Sequence, residues 1–110
     1  MDGTAIMQGL ATMFIASTAG VDLSSVEYLQ IVMLAMVASI GAAAVPSAGT
    51  ITLALILSSL GLPLDAIGLI LAVDRILDMI RTSVNVTGDS AVACIVANSE
   101  NLLDKEVFNK

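Results

Sequence analysis

The sequence has 110 residues, of which 57% are hydrophobic and 13% charged, with a net charge of −6 and no histidine. A soluble domain carries about 25% charged residues, and the mean hydropathy of +0.98 indicates membrane-protein chemistry instead. With only Arg75, Arg81, Lys105 and Lys110 as cations there is no basic patch to meet phosphates, which excludes a nucleic-acid binder.

Residues 1–4 read M-D-G-T and lead into an apolar run over 5–19. No cationic segment precedes that run, so it does not read as a signal peptide. Asp2, Gly3 and Thr4 suit either an ordinary capped helix start or an unwound turn whose free amides meet a polar ligand. Residues 20–28 form a polar connection with Asp22, Ser24, Ser25 and Glu27. Residues 29–40 are almost wholly apolar, but about 18 Å of helix cannot cross a hydrocarbon core about 30 Å thick. The small residues 41–49, G-A-A-A-V-P-S-A-G, follow, with Pro46 as a helix breaker, and residues 50–60 form a second apolar half-length. Two half-spans joined by such a tip describe a re-entrant helical hairpin, which would offer carbonyls at 39–42 to a cation and amides at 47–50 to an anion. A single membrane span kinked at Pro46 fits the same run.

Residues 61–66 turn into a helix expected over 64–97, and residues 98–110 form a polar tail. Acidic loops and the tail's Lys105 and Lys110 favour a cytoplasmic tail by the positive-inside bias. The lone Cys94 can make no internal disulfide and reads as a packing residue.

The last helix carries the chemistry. At about 100° per residue, Asp74, Asp78, Arg81, Thr82, Asn85, Gly88 and Asp89 fall within an arc of about 120°. Three aspartates and an arginine facing lipid would cost on the order of 10 kcal/mol, so the stripe should face protein, water, ions or substrate. A polar seam between helices is the bland alternative. Arg81 offers a two-pronged fork for a carboxylate, and Asp78 on the same face offers a counter-charge for an ammonium. Carboxylates and carbonyls without thiol or imidazole suit hard cations. Arg75, at the edge of the stripe, reads as a structural partner of a carboxylate. The stripe holds no histidine and no activated nucleophile, which argues against an enzyme.

The opening M-D-G-T, the run S-I-G-A-A-A-V-P-S-A-G and above all D-x-x-x-D-x-x-R-T-x-x-N-V-x-G-D resemble the C-terminal core of the dicarboxylate/amino acid:cation symporters, the glutamate transporter family. The resemblance implies an all-α membrane protein: half of a broken transmembrane helix at 1–19, a re-entrant hairpin at 29–60 and a polar-striped transmembrane helix at 64–97. It implies a substrate site in which Arg81 meets a side-chain carboxylate, Asp78 the amino group and Asn85 the α-carboxylate. Thr4 and Thr82 would add hydrogen bonds, and the backbone at Val45 and Gly49 would close over the substrate. Sodium, as coupling ion, would be held by Asp89 with the Asn85 carbonyl, by the carbonyls of Ser39, Ile40 and Ala42, and by the Asp2 carboxylate.

The family's pattern also includes an Asn before M-D-G-T, scaffold helices and a first hairpin, so the chain is expected to be the C-terminal part of a larger, homotrimeric, multi-pass plasma-membrane symporter, inactive alone. Its substrate is expected to be aspartate or glutamate. A C4-dicarboxylate carrier of the same family, or a small autonomous membrane assembly or regulatory protein, is the alternative.

Overall fold

The computed structural model describes residues 1–42, 45 and 47–110. Pro46, expected to break the helix, and its neighbours Ala43 and Ala44 lie outside the described residues. Every regular element among those described is helical: α1 (Asp2–Thr18), α2 (Ser25–Gly41), α3 (Ala48–Ser59), a 3₁₀ turn (Leu64–Ala66), α4 (Ile67–Leu71), α5 (Asp74–Ser99) and α6 (Lys105–Phe108).

The helix boundaries have local causes. Ser24 and Glu27 form a capping box: the Ser24 amide donates to Glu27 Oε2 at 2.7 Å, and the Glu27 amide donates to Ser24 Oγ at 3.4 Å. This starts α2 inside the expected polar connection. The Ser24 amide and then its hydroxyl, both donating to the carboxylate, hold the Glu27 pKa below its ordinary value. Three helices stop in the same way, with a left-handed residue just past the end: Gly20 (φ 70°), Gly61 (φ 68°) and Asn101 (φ 57°). In each, the next amide reaches back to a carbonyl of the last turn: Val21 to Ala16 at 3.0 Å, Leu62 to Leu57 at 2.9 Å and Leu102 to Ala97 at 2.8 Å. These contacts use carbonyls that the helix leaves without partners.

The stretch expected as one helix over 64–97 is broken at Ala72 and Val73. The break lets Ile70 enter the core while Asp74 starts a new helix, where an acid in the first turn suits the helix dipole.

α1 is the hub, packing against α2, α3 and α5. Its residues Ala11, Ile15 and Ala16 join Leu53 and Leu57 of α3, Leu62 and Ile70 in one buried cluster. The opposite face of α1 leaves Ile6 and Leu10 about two-thirds exposed. Extents of 56 × 29 × 18 Å and a radius of gyration of 17.0 Å, against about 13 Å for a compact chain of this length, describe an elongated assembly with a small core. Among the described residues no helix is long and apolar enough to cross a membrane. At 17 residues each, α1 and α2 reach about 26 Å, whereas α5 has 26 residues but is interrupted by the charges of its stripe.

Candidate functional site

α5 positions the stripe and α1 supports it. Gly3 allows the two helices to touch: a Cβ there would lie 2.6 Å from the Arg81 carbonyl oxygen and 3.1 Å from Val84 Cβ. At this contact the Asn85 side-chain oxygen accepts from the Gly3 amide at 2.9 Å and the Thr4 amide at 3.3 Å, and Asn85 Nδ2 donates to Thr4 Oγ1 at 3.0 Å. α1 has no side-chain cap of its own. Asn85 therefore caps it from another helix, which is also why Thr4 can be 3% exposed without an unpaired hydroxyl. The sequence assigned Asn85 to a ligand, and in this structure its amide is engaged with α1.

On α1 the sequence pointed to Thr4 but not to Gln8 and Thr12, which continue its row. Thr4, Gln8 and Thr12 recur at helical spacing inside an apolar run, and all three are buried. Thr12 Oγ1 donates to the Gln8 carbonyl at 2.8 Å, and Gln8 Nε2 donates to Thr52 Oγ1 of α3. Gln8 Oε1 is buried without a hydrogen-bond partner among the described residues. The spacing of four was the available signal, since a polar residue buried in a helix must find a partner on a neighbour.

Where α1, α3 and α5 converge, a cavity of about 700 Å³ opens. From α5 it is lined by Asp78, Arg81, Thr82, Asn85 and Asp89, and from the start of α1 by Thr4. Ala42, Val45 and Gly49 line it from the segment between α2 and α3 and from the first turn of α3. The structure thus brings most of the sequence-predicted site residues to one cavity. Asp2, Ser39 and Ile40 are not among its lining. The Asp2 carboxylate packs at Gly88, 3.1 Å from where a Cβ would sit; the Ser39 hydroxyl donates to the Met36 carbonyl at 2.9 Å, and Ile40 is 80% exposed.

Arg81 is the most constrained charge. Its guanidinium forms an ion pair with Asp78 one turn earlier, donates to Met7 Sδ of α1 at 3.5 Å and lies against Gly49 of α3. A Cβ on Gly49 would overlap Arg81 Nη1, so a side chain there displaces the guanidinium from this position. Arg75 departs from expectation. It lines the cavity and makes no ion pair among the described residues. No group of three or more His, Cys, Asp or Glu stands close enough to hold a metal among the described residues.

The arrangement presents three carboxylates, two guanidinium groups, the Asn85 amide and three threonines around a space large enough for an amino acid, in a chain otherwise rich in exposed apolar surface. The model of the sodium:dicarboxylate symporter family matches residues 1–99. An excitatory amino acid transporter of Onchocerca volvulus is 51% identical over 96 residues, 87% of this chain and 20% of its own length. Excitatory amino acid transporter 2 of Homo sapiens is 50% identical over 96 residues, 87% of this chain and 17% of its own. Excitatory amino acid transporter 1 of Rattus norvegicus is 47% identical over 110 residues, all of this chain and 20% of its own. The chain thus spans about a fifth of the length of these relatives. No solved structure matches it. The matched family model extends over nearly the whole chain, including the motif that builds the cavity wall, and the chain belongs to the sodium:dicarboxylate symporter family.

Proposed function

We propose that this chain forms the substrate- and cation-binding wall of a sodium-coupled symporter for acidic amino acids. The observation that carries the reading is the Asp78–Arg81 ion pair on the cavity wall. Without ligand, each charge serves as the other's partner. An acidic amino acid replaces that one pair by two, its ammonium meeting Asp78 and its side-chain carboxylate meeting Arg81. A plain dicarboxylate can take Arg81 only by leaving Asp78 uncompensated beside a second anion, an unfavourable exchange. This favours aspartate or glutamate over a C4-dicarboxylate.

The remaining groups fit the same ligand. Asn85 Nδ2 has two N–H groups and uses one on Thr4, which leaves the other for the α-carboxylate. The first turn of α3, whose cap Ser47 makes no side-chain hydrogen bond, brings the positive end of a helix to the guanidinium, so two positive features converge on one carboxylate. Asp89 supplies a cavity-facing carboxylate for sodium together with the Asn85 carbonyl. The carbonyls of Ser39, Ile40 and Ala42 and the Asp2 carboxylate serve further ions. In the complete homotrimer, α2 and α3 are the arms of a re-entrant hairpin in the plasma membrane, the helical run over 64–97 completes the multi-pass transport domain, and the tail is cytoplasmic.

The test is uptake of labelled aspartate by the full-length transporter containing this segment, reconstituted in liposomes. An inward sodium gradient should drive accumulation severalfold above the equilibrium level. Uptake that is unchanged when choline replaces sodium would refute the coupling.

A further inference from the structure

The cavity holds one cation that the site described above does not use. We propose that Arg75 is a second specificity residue, whose guanidinium captures the side-chain carboxylate of an arriving acidic amino acid before Arg81 receives it. The inference rests on the acidic amino-acid reading above.

Asp74, Asp78 and Asp89 line the cavity with Arg75 and Arg81. Arg81 is held by Asp78, by Met7 and against Gly49, and must exchange its partner before it can bind a substrate. Arg75 lines the same space, is exposed and makes no ion pair or side-chain hydrogen bond among the described residues. It lies three residues before Asp78 on α5, about 20° beyond the edge of the polar arc, and so borders the stripe that carries the pair. Until the Asp78–Arg81 pair opens, Arg75 is the cavity-lining cation without a carboxylate partner. A cation bordering a cleft that also holds aspartates counters their repulsion of an incoming anion and raises its local concentration. Such an effect acts on capture more than on the later steps and weakens with ionic strength, because the Debye length falls from about 10 Å at 0.1 M to about 3 Å at 1 M.

The experiment uses the full-length transporter in liposomes at fixed sodium, with choline chloride added to vary ionic strength. It compares wild type with Arg75→Gln, Arg75→Met and Arg75→Lys. The neutral variants should raise the KM for aspartate about 3- to 10-fold at low ionic strength, with a much smaller change in maximal rate. That difference should shrink as choline chloride is raised, and Arg75→Lys should recover most of the affinity. The inhibition constant of serine, which has no side-chain carboxylate, should move far less. An unmoved aspartate KM in both neutral variants would overturn the inference alone. So would a rise that is equal for serine and aspartate and independent of ionic strength. Wild-type protein without sodium-driven aspartate uptake would overturn the underlying reading, and the inference with it.

Discussion

α1 buries polar side chains that carry no charge, whereas α5 carries Asp74, Arg75, Asp78, Arg81 and Asp89 and buries none of its residues. The two helices meet at the cavity and treat polarity in opposite ways. In α1 the polar groups are spent on structure: Thr12 bonds its own helix, Gln8 reaches Thr52, and Thr4 is held by Asn85. A neutral side chain can be buried once hydrogen-bonded, but a charge needs a partner of opposite sign or water. The charges of α5 therefore remain on a cavity wall, where among the described residues only Asp78 and Arg81 pair. Neutral polarity joins the helices, and charge stays on the cavity wall.

The sharpest way to break this division is to fill the space that α3 leaves for Arg81. Gly49→Val puts a side chain where Nη1 sits, so the guanidinium must leave its place. Aspartate affinity in the full-length transporter should fall by roughly 30-fold, the scale of losing a charge partner. Gly68→Ala, where a Cβ meets nothing within 4 Å, should bind aspartate normally. Titration calorimetry on both variants measures the difference.

A smaller effect is expected at the structural end of the comparison. Asn85→Ala leaves the Gly3 and Thr4 amides without their acceptor and should destabilise the protein by about 1 to 2 kcal/mol, whereas Asn85→Asp keeps an acceptor oxygen and should retain much of that stability. Thermal unfolding in detergent distinguishes the two. Gln8→Leu should cost less than Asn85→Ala and stay within about 1 kcal/mol of wild type. It removes an unpaired buried oxygen, and Thr52 keeps its bonds to the Ala48 and Gly49 carbonyls at 2.9 and 3.0 Å. A loss at Gln8 larger than at Asn85 would mean that α1 is anchored through α3 rather than through α5.

The smallest effect concerns a charge far from the cavity. Because the folded state lowers the Glu27 pKa, its capping box contributes stability above the unfolded value of about 4.3. That contribution is lost as pH falls through the lower folded value. Amide-exchange protection at Glu27 and Tyr28 should decline over that window in wild type. In Glu27→Gln, which keeps the capping geometry without the charge, it should not.

Much of the site was legible because a polar face on a long helix is a periodic signal. The arc from Asp74 to Asp89 contains Asp78, Arg81, Thr82, Asn85 and Asp89, which line one cavity in the structure. The start of α2 was equally legible, since Ser24 and Glu27 have the capping spacing, but it was absorbed into a polar connection. The row Thr4, Gln8 and Thr12 was hidden by the apolar residues around it. Other features depend on tertiary contact and leave no local mark. The engagement of Asn85 with α1 is one, and the fit of Arg81 against Gly49 is another. The break at Ala72 and Val73 belongs with them: no proline or glycine occupies it, and Ile70 just before it is buried in the core.

The central claim is that the Asp78–Arg81 pair selects an acidic amino acid, and competition binding of aspartate, succinate and serine tests it most directly. The proteins needed are full-length wild type, Arg81→Thr and Asp78→Asn. In wild type, aspartate should compete far better than succinate. Arg81→Thr should weaken aspartate by roughly 30-fold to several-thousand-fold while sparing serine, and Asp78→Asn should weaken both amino acids, since both present an ammonium. Succinate competing as well as aspartate in wild type would contradict the account and make the protein a dicarboxylate carrier.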